Sequence, residues 1–92
     1  MVFVRGNPKE FDEWHDLGAK NWDYAHCLPY FKKAESWYEN TIYRSALGPL
    51  KVTKFDPPNN KLSAAFIKAG IQAGYKANSD YNSKNQAGFG PM

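Results

Sequence analysis

Disulfides are excluded first: the 92-residue chain holds a single cysteine, Cys27, so no internal bridge can form. A lone thiol suits a reducing, intracellular setting. Long hydrophobic runs are missing too. No stretch approaches the ~20 apolar residues of a membrane-spanning helix, and the first residues hold no signal-peptide core. Charge of one sign is never concentrated. Twelve Lys and Arg against nine Asp and Glu give +3, with no basic run longer than Lys32-Lys33. A nucleic-acid footprint gathers its cations on one face, so the scatter weighs against that class of partner.

Chemistry-bearing motifs are equally scarce. Neither His15 nor His26 has a Cys, Asp or Glu at the spacing of a known metal cluster, so no metal ligand is assigned. His15, beside Asp16 and near Glu13, reads as a surface histidine among carboxylates. No Gly-x-Gly-x-x-Gly follows a strand, Gly88 and Gly90 supplying half of one, and no serine sits in a nucleophile elbow. No catalytic residue is assigned.

Aromatic residues are what the chain does have. They make up 16% of it and hydrophobic residues 42%, too apolar for a disordered segment despite a mean hydropathy of -0.68. At this length at most one domain fits, with a modest core.

The expected class is α+β, with helices at about 8–17, 24–35 and 61–73 and short strands near 1–4, 50–55 and 88–92. Asn7 and Pro8 open the first helix as N-cap and preset first-turn residue, Phe11, Trp14 and Leu17 recur at three-residue spacing, and Gly18 ends it. Asp23 is placed to cap the second helix with its carboxylate. Tyr24, Cys27, Leu28, Phe31 and Ala34 form its apolar stripe, while Lys32, Lys33 and Glu35 fall on other faces. Pro29 interrupts that helix at a cost of roughly 3 kcal/mol in isolation, so burial of the stripe must outweigh it. Trp14 and Trp22 are expected in a shared core, and residues 36–47 as an irregular loop with exposed rings. Leu50 to Phe55 alternates as a half-buried strand. Asn60 caps a third helix whose buried face carries Leu62, Ala65, Phe66, Ala69 and Ala73; Gly70 implies close packing there, and Gly74 stops it.

Several ordered stretches resemble the glucose-methanol-choline (GMC) flavoprotein oxidoreductases. They are Met1-Val2-Phe3-Val4-Arg5-Gly6-Asn7-Pro8, Leu28-Pro29-Tyr30-Phe31-Lys32-Lys33-Ala34-Glu35, Gly48-Pro49-Leu50-Lys51-Val52, Gln72-Ala73-Gly74-Tyr75 and Gln86-Ala87-Gly88-Phe89-Gly90-Pro91-Met92. The likeness covers essentially the whole chain and is greatest to the choline dehydrogenases. It implies that residues 1–92 are one partial domain, an internal segment of a larger FAD-binding and substrate-domain architecture. The parent would oxidise a primary alcohol such as choline to an aldehyde by hydride transfer to FAD, in the cytoplasm or peripherally on a membrane. Its Gly-rich FAD fingerprint would precede this segment and its catalytic histidine would follow it. The isolated chain is then expected to be inactive and not to bind FAD tightly, its partner being the rest of the enzyme. The resemblance implies cofactor contact only at Met1, Val2 and Phe3. Ser45, Ala46, Leu47 and Ser83 depart from the family, which commonly has Gly or Asp there, and that predicts altered turns.

A second reading stays open on the residues: a small basic binding module using Trp37, Tyr38, Tyr43 and nearby lysines on an acidic or nucleic-acid partner. Between the two, the rings at 37–43 are core contacts of a larger body.

Overall fold

The computed structural model describes residues 2–54 and 60–91. They run α1 (Pro8–Asp16), α2 (Tyr24–Ala34), β1 (Glu35–Ser36), β2 (Leu50–Lys51) and α3 (Lys61–Gln72), in two compact units, Phe3–Thr53 and, with Val2, the described residues from Lys54 onward.

In the first unit the expected signals at both ends of α1 hold. The Asn7 side chain accepts from the Lys9 N–H at 3.0 Å, and Gly18 follows the helix at φ 110. Phe11 is the residue α1 buries. Its ring meets Trp14 at 5.1 Å, Phe31 at 5.6 Å and Tyr24 at 6.2 Å between centroids, which joins α1 to α2 through edge-on and tilted aromatic pairs. Trp14 and Trp22 do meet, at 6.2 Å, but stand 48% and 55% exposed rather than in a closed core.

Helix α2 forms as expected around Pro29 but is capped differently. Asp23 holds the N-cap position without using its side chain there. The cap comes instead from α1, where Asp12 Oδ1 accepts the Tyr24 N–H at 3.0 Å. Helix and cap are thereby tied across the α1–α2 turn, which Asn21 makes possible by adopting φ 67.

Glu35 leaves the helix and starts β1, which pairs in parallel with β2 in the register Glu35↔Leu50 and Ser36↔Lys51. The sheet is shorter than the sequence suggests. The strand near 50–55 is confined to Leu50–Lys51, with Phe55 outside the described residues, and residues 2–7 form no strand. Gly48 allows the pair to close: a Cβ there would run into the backbone of Ala34 and Glu35, and the Gly48 N–H donates to Glu35 O at 2.8 Å.

In the second unit Asn60 accepts from the Ser63 N–H at 3.1 Å, capping α3 as expected, and Gly74 follows at φ 94. The apolar stripe of α3 is not buried within the unit. Leu62 is 81% and Phe66 67% exposed, and Gly70 is the helix's buried residue. Phe89 packs on it: a Cβ at Gly70 would overlap that ring, which also lies 5.4 Å from Phe66 and 5.2 Å from Tyr75. The strand near 88–92 reduces to one parallel bridge, Ala77↔Phe89. Around it Asn78 Nδ2 donates to Asn85 O at 2.8 Å and Ala87 O at 3.3 Å, and Asp80 Oδ1 accepts the Asn82 N–H at 3.0 Å.

Candidate functional site

Three charged side chains form the best-buried group in the first unit. Glu35 is 0%, Arg44 2% and Arg5 4% exposed. Glu35 Oε1 accepts from Arg5 Nη2 at 2.5 Å, from Arg44 Nε at 2.9 Å and from the Ser45 N–H at 3.3 Å. Arg5 also donates through Nη1 to Tyr43 O at 2.6 Å, with its guanidinium 5.4 Å from the Phe31 centroid. The Arg44 guanidinium carbon lies over the Trp37 ring, 3.9 Å from its centroid. One carboxylate oxygen engaged by two guanidiniums and a backbone N–H ties together three separate stretches of the chain.

What it holds is the loop between β1 and β2. Around the hub, Trp37 N–H donates to Ser45 O at 2.7 Å and Ser36 Oγ to Ala46 O at 3.1 Å. Lys32 Nζ reaches from α2 to the carbonyls of Thr41 at 2.9 Å and Ile42 at 3.2 Å. The loop expected to be irregular is therefore cross-linked throughout. Trp37 is 8% exposed and covered by Arg44, so it is not a ring presented to a partner; Tyr38 is 66% exposed and lies 4.6 Å from Trp37 between centroids. Ser45, Ala46, Leu47 and Ser83 need no glycine here, since Asn21 is the one non-glycine residue with positive φ among the described residues.

The sequence-based expectation sets Glu35 off the apolar stripe of α2, and Arg5 and Arg44 count there as scattered charge. A signal was available. Glu35 stands four residues after Phe31 and seven after Leu28, which puts it on the apolar stripe of α2 rather than beside it. An acid at such a position calls for a buried cation.

Of the cofactor residues the resemblance implies, Met1 lies outside the described residues, Val2 is 53% exposed and Phe3 is half-buried. The stretch from Val2 to Asn7 forms neither helix nor strand, and Val2 and Val4 turn outward at 53% and 60% exposure. Exposed Val4 and half-buried Phe3, on backbone outside any helix or strand, are apolar groups of the kind a flat aromatic cofactor packs against.

The two histidines come together around Asp23, not around Glu13 and Asp16. Asp23 Oδ1 lies 2.5 Å from His26 Nδ1 and 3.4 Å from His15 Nδ1. Burial works against the Asp23 carboxylate, but the His26 hydrogen bond and charge with nearby backbone donors outweigh it and hold the carboxyl below its ordinary 3.8. Cys27 moves the other way: burial, then the Asp23 charge, push its thiol up, which keeps it protonated and unreactive at neutral pH. No group of three metal-ligating side chains occurs among the described residues.

Comparisons with known proteins agree with the resemblance. The GMC oxidoreductase family model matches residues 1–92. The chain is 50% identical to an oxygen-dependent choline dehydrogenase of Vibrio vulnificus (strain YJ016), over 100% of the chain and 17% of that protein. It is 46% identical to the mitochondrial choline dehydrogenase of Homo sapiens, over 100% of the chain and 16% of that protein. Among solved structures, the pyridoxine 4-oxidase from Mesorbium loti matches 96% of the chain and 18% of its own at 28% identity and a TM-score of 0.85. The chain thus spans about a sixth of the length of the curated relatives it matches.

Proposed function

The chain belongs to the GMC oxidoreductase family, and we propose that it is an internal segment of an FAD-dependent alcohol oxidoreductase of choline dehydrogenase type. The observation that carries this reading is the family match over the whole chain, at 43–50% identity to choline dehydrogenases from bacteria and at 46% to the human one. Choline is the favoured substrate because those relatives are named for it, and the remainder of the flavoenzyme is the partner. An intracellular setting, in the cytoplasm or peripherally on a membrane, accords with the lone thiol. No helix among the described residues is long and apolar enough to cross a membrane.

In this reading the backbone at Met1, Val2 and Phe3 borders the isoalloxazine ring, with Phe3 at the edge of the substrate cavity. When bound, FAD would supply the acceptor for a hydride from the carbinol carbon, and the hydroxyl proton would leave to a base outside residues 1–92. This chain's share is positional. Its exposed apolar side chains, Leu62, Phe66 and Trp22 among them, are the natural contacts for polypeptide that completes the core.

Titrating the 92-residue chain with FAD tests this. No stoichiometric binding and no alcohol oxidation are expected, whereas the full-length protein carries flavin and is reduced by choline. Tight FAD binding or turnover by these 92 residues alone would overturn it. The binding-module alternative has no support in the comparisons, and it loses Trp37 to the Arg44 stack.

A further inference from the structure

Replacing a buried Arg–Glu–Arg group with well-packed apolar residues is often neutral or stabilising, because desolvating the charges offsets their attraction. Stability alone therefore gives little reason for Arg5, Glu35 and Arg44 to meet at one buried oxygen. Their location supplies another. Residues 2–7 have no helix or strand to fix them, yet Arg5 is held on two edges, by Glu35 Oε1 at 2.5 Å and Tyr43 O at 2.6 Å, with Phe31 against its face. Phe3 is two residues away, within ~7 Å along an extended chain. Glu35 Oε2 is buried and accepts no hydrogen bond among the described residues, so the carboxylate engages both guanidiniums through Oε1.

We propose that Glu35 is a positioning residue, acting through Arg5, that sets where the backbone at Phe3 stands against the flavin. This rests on the flavoenzyme reading above. Loss of the Glu35 charge leaves two guanidiniums facing one another in a buried site, and Arg5 carries the extended stretch with it when it withdraws. Arg44 and Ser45 are held by the same oxygen.

The test uses the full-length flavoenzyme with choline, comparing wild type, Glu35→Gln and a triple apolar replacement, Arg5→Met with Glu35→Leu and Arg44→Leu. Flavin content, visible circular dichroism of the bound flavin, the rate of flavin reduction by choline and the melting temperature are measured. In Glu35→Gln the flavin circular dichroism changes and the reduction rate falls about 100-fold, as a displacement of about 1 Å can produce. The triple replacement recovers the melting temperature but neither flavin readout. Wild-type circular dichroism and reduction rate in the triple replacement, or in Glu35→Gln with only its melting temperature lowered, would show a purely structural hub and overturn the proposal while leaving the flavoenzyme reading intact. A wild-type protein that holds no flavin would overturn both.

Discussion

The two units of this chain reach order by different routes. Residues 3–53 are fastened by charge: a fully buried carboxylate, two buried guanidiniums, and a loop whose backbone groups are bonded to one another and to Lys32. Residues 60–91 are fastened by one ring on a glycine and by asparagine and aspartate side chains that fold a Gly- and Asn-rich tail back on itself. The first unit buries Arg5, Phe11, Glu35, Trp37, Arg44 and Ser45; the second, among its described residues, buries Gly70 and Asn82. A small unit can thus be organised without a large apolar core, by a buried group of charges that meet on one oxygen, even with Glu35 Oε2 left unbonded among the described residues.

Removing the carboxylate is the largest expected perturbation. Glu35→Ala leaves two buried cations uncompensated, for a loss of about 3–5 kcal/mol. Hydrogen exchange on the full-length protein should show the Trp37 and Gly48 amides, which donate to Ser45 O and Glu35 O, exchanging at least ~100-fold faster. The Asn78 and Phe89 amides should keep their rates. Equal acceleration there would mean that the two units open together and the contrast between them is false.

Gly70→Ala probes the other fastening. The added methyl must displace the Phe89 ring, and overpacking of about 1–3 kcal/mol is partly offset by a helix gain of about 1 kcal/mol, leaving a net loss of about 1 kcal/mol. In a Phe89→Ala background the same substitution should stabilise by about 0.5–1 kcal/mol, a reversal visible in a double-mutant cycle of thermal melts. An unchanged sign would show that the ring is not what Gly70 accommodates.

Smaller again is the cap borrowed from α1. Asp12→Ala removes the acceptor of the Tyr24 N–H and should cost about 1 kcal/mol, read as faster exchange across the first turn of α2. Asp23→Ala should accelerate that turn's exchange less at neutral pH, because its side chain makes no capping hydrogen bond.

The pH effect is the smallest. A carboxyl held below its unfolded value contributes stability that is present above about pH 3.8 and fades as the pH falls through its folded value. An acid titration followed by NMR should place the Asp23 midpoint below 3.8, and Asp23→Asn should remove that part of the acid-side dependence. A midpoint at or above 3.8 would show that burial, not His26, governs the group.

Much of the secondary structure was legible because its causes are local. Asn7, Pro8, Gly18, Asn60 and Gly74 act within a few residues of themselves, and the structure places each where the sequence indicates. The family was legible for another reason, since ordered motifs over the whole chain carry ancestry whatever the chain buries. Asp23 was misread because Asp12, a residue in another helix, is the better-placed acceptor. The strands were overextended because alternation shows which side chains could share a face, while ladder length depends on a partner backbone.

By itself, then, the sequence determined three helices, their punctuation and membership of a flavoenzyme family, since propensity, capping and ancestry are written residue by residue. Only the tertiary structure decided that Glu35 is inside, that Arg5 and Arg44 meet on it, and that the stripe of α3 stands largely exposed within its unit. The physical reason is that burial belongs to pairs of surfaces. Arg5 and Glu35 lie 30 residues apart in the chain, and nothing short of folding brings their charges within 2.5 Å.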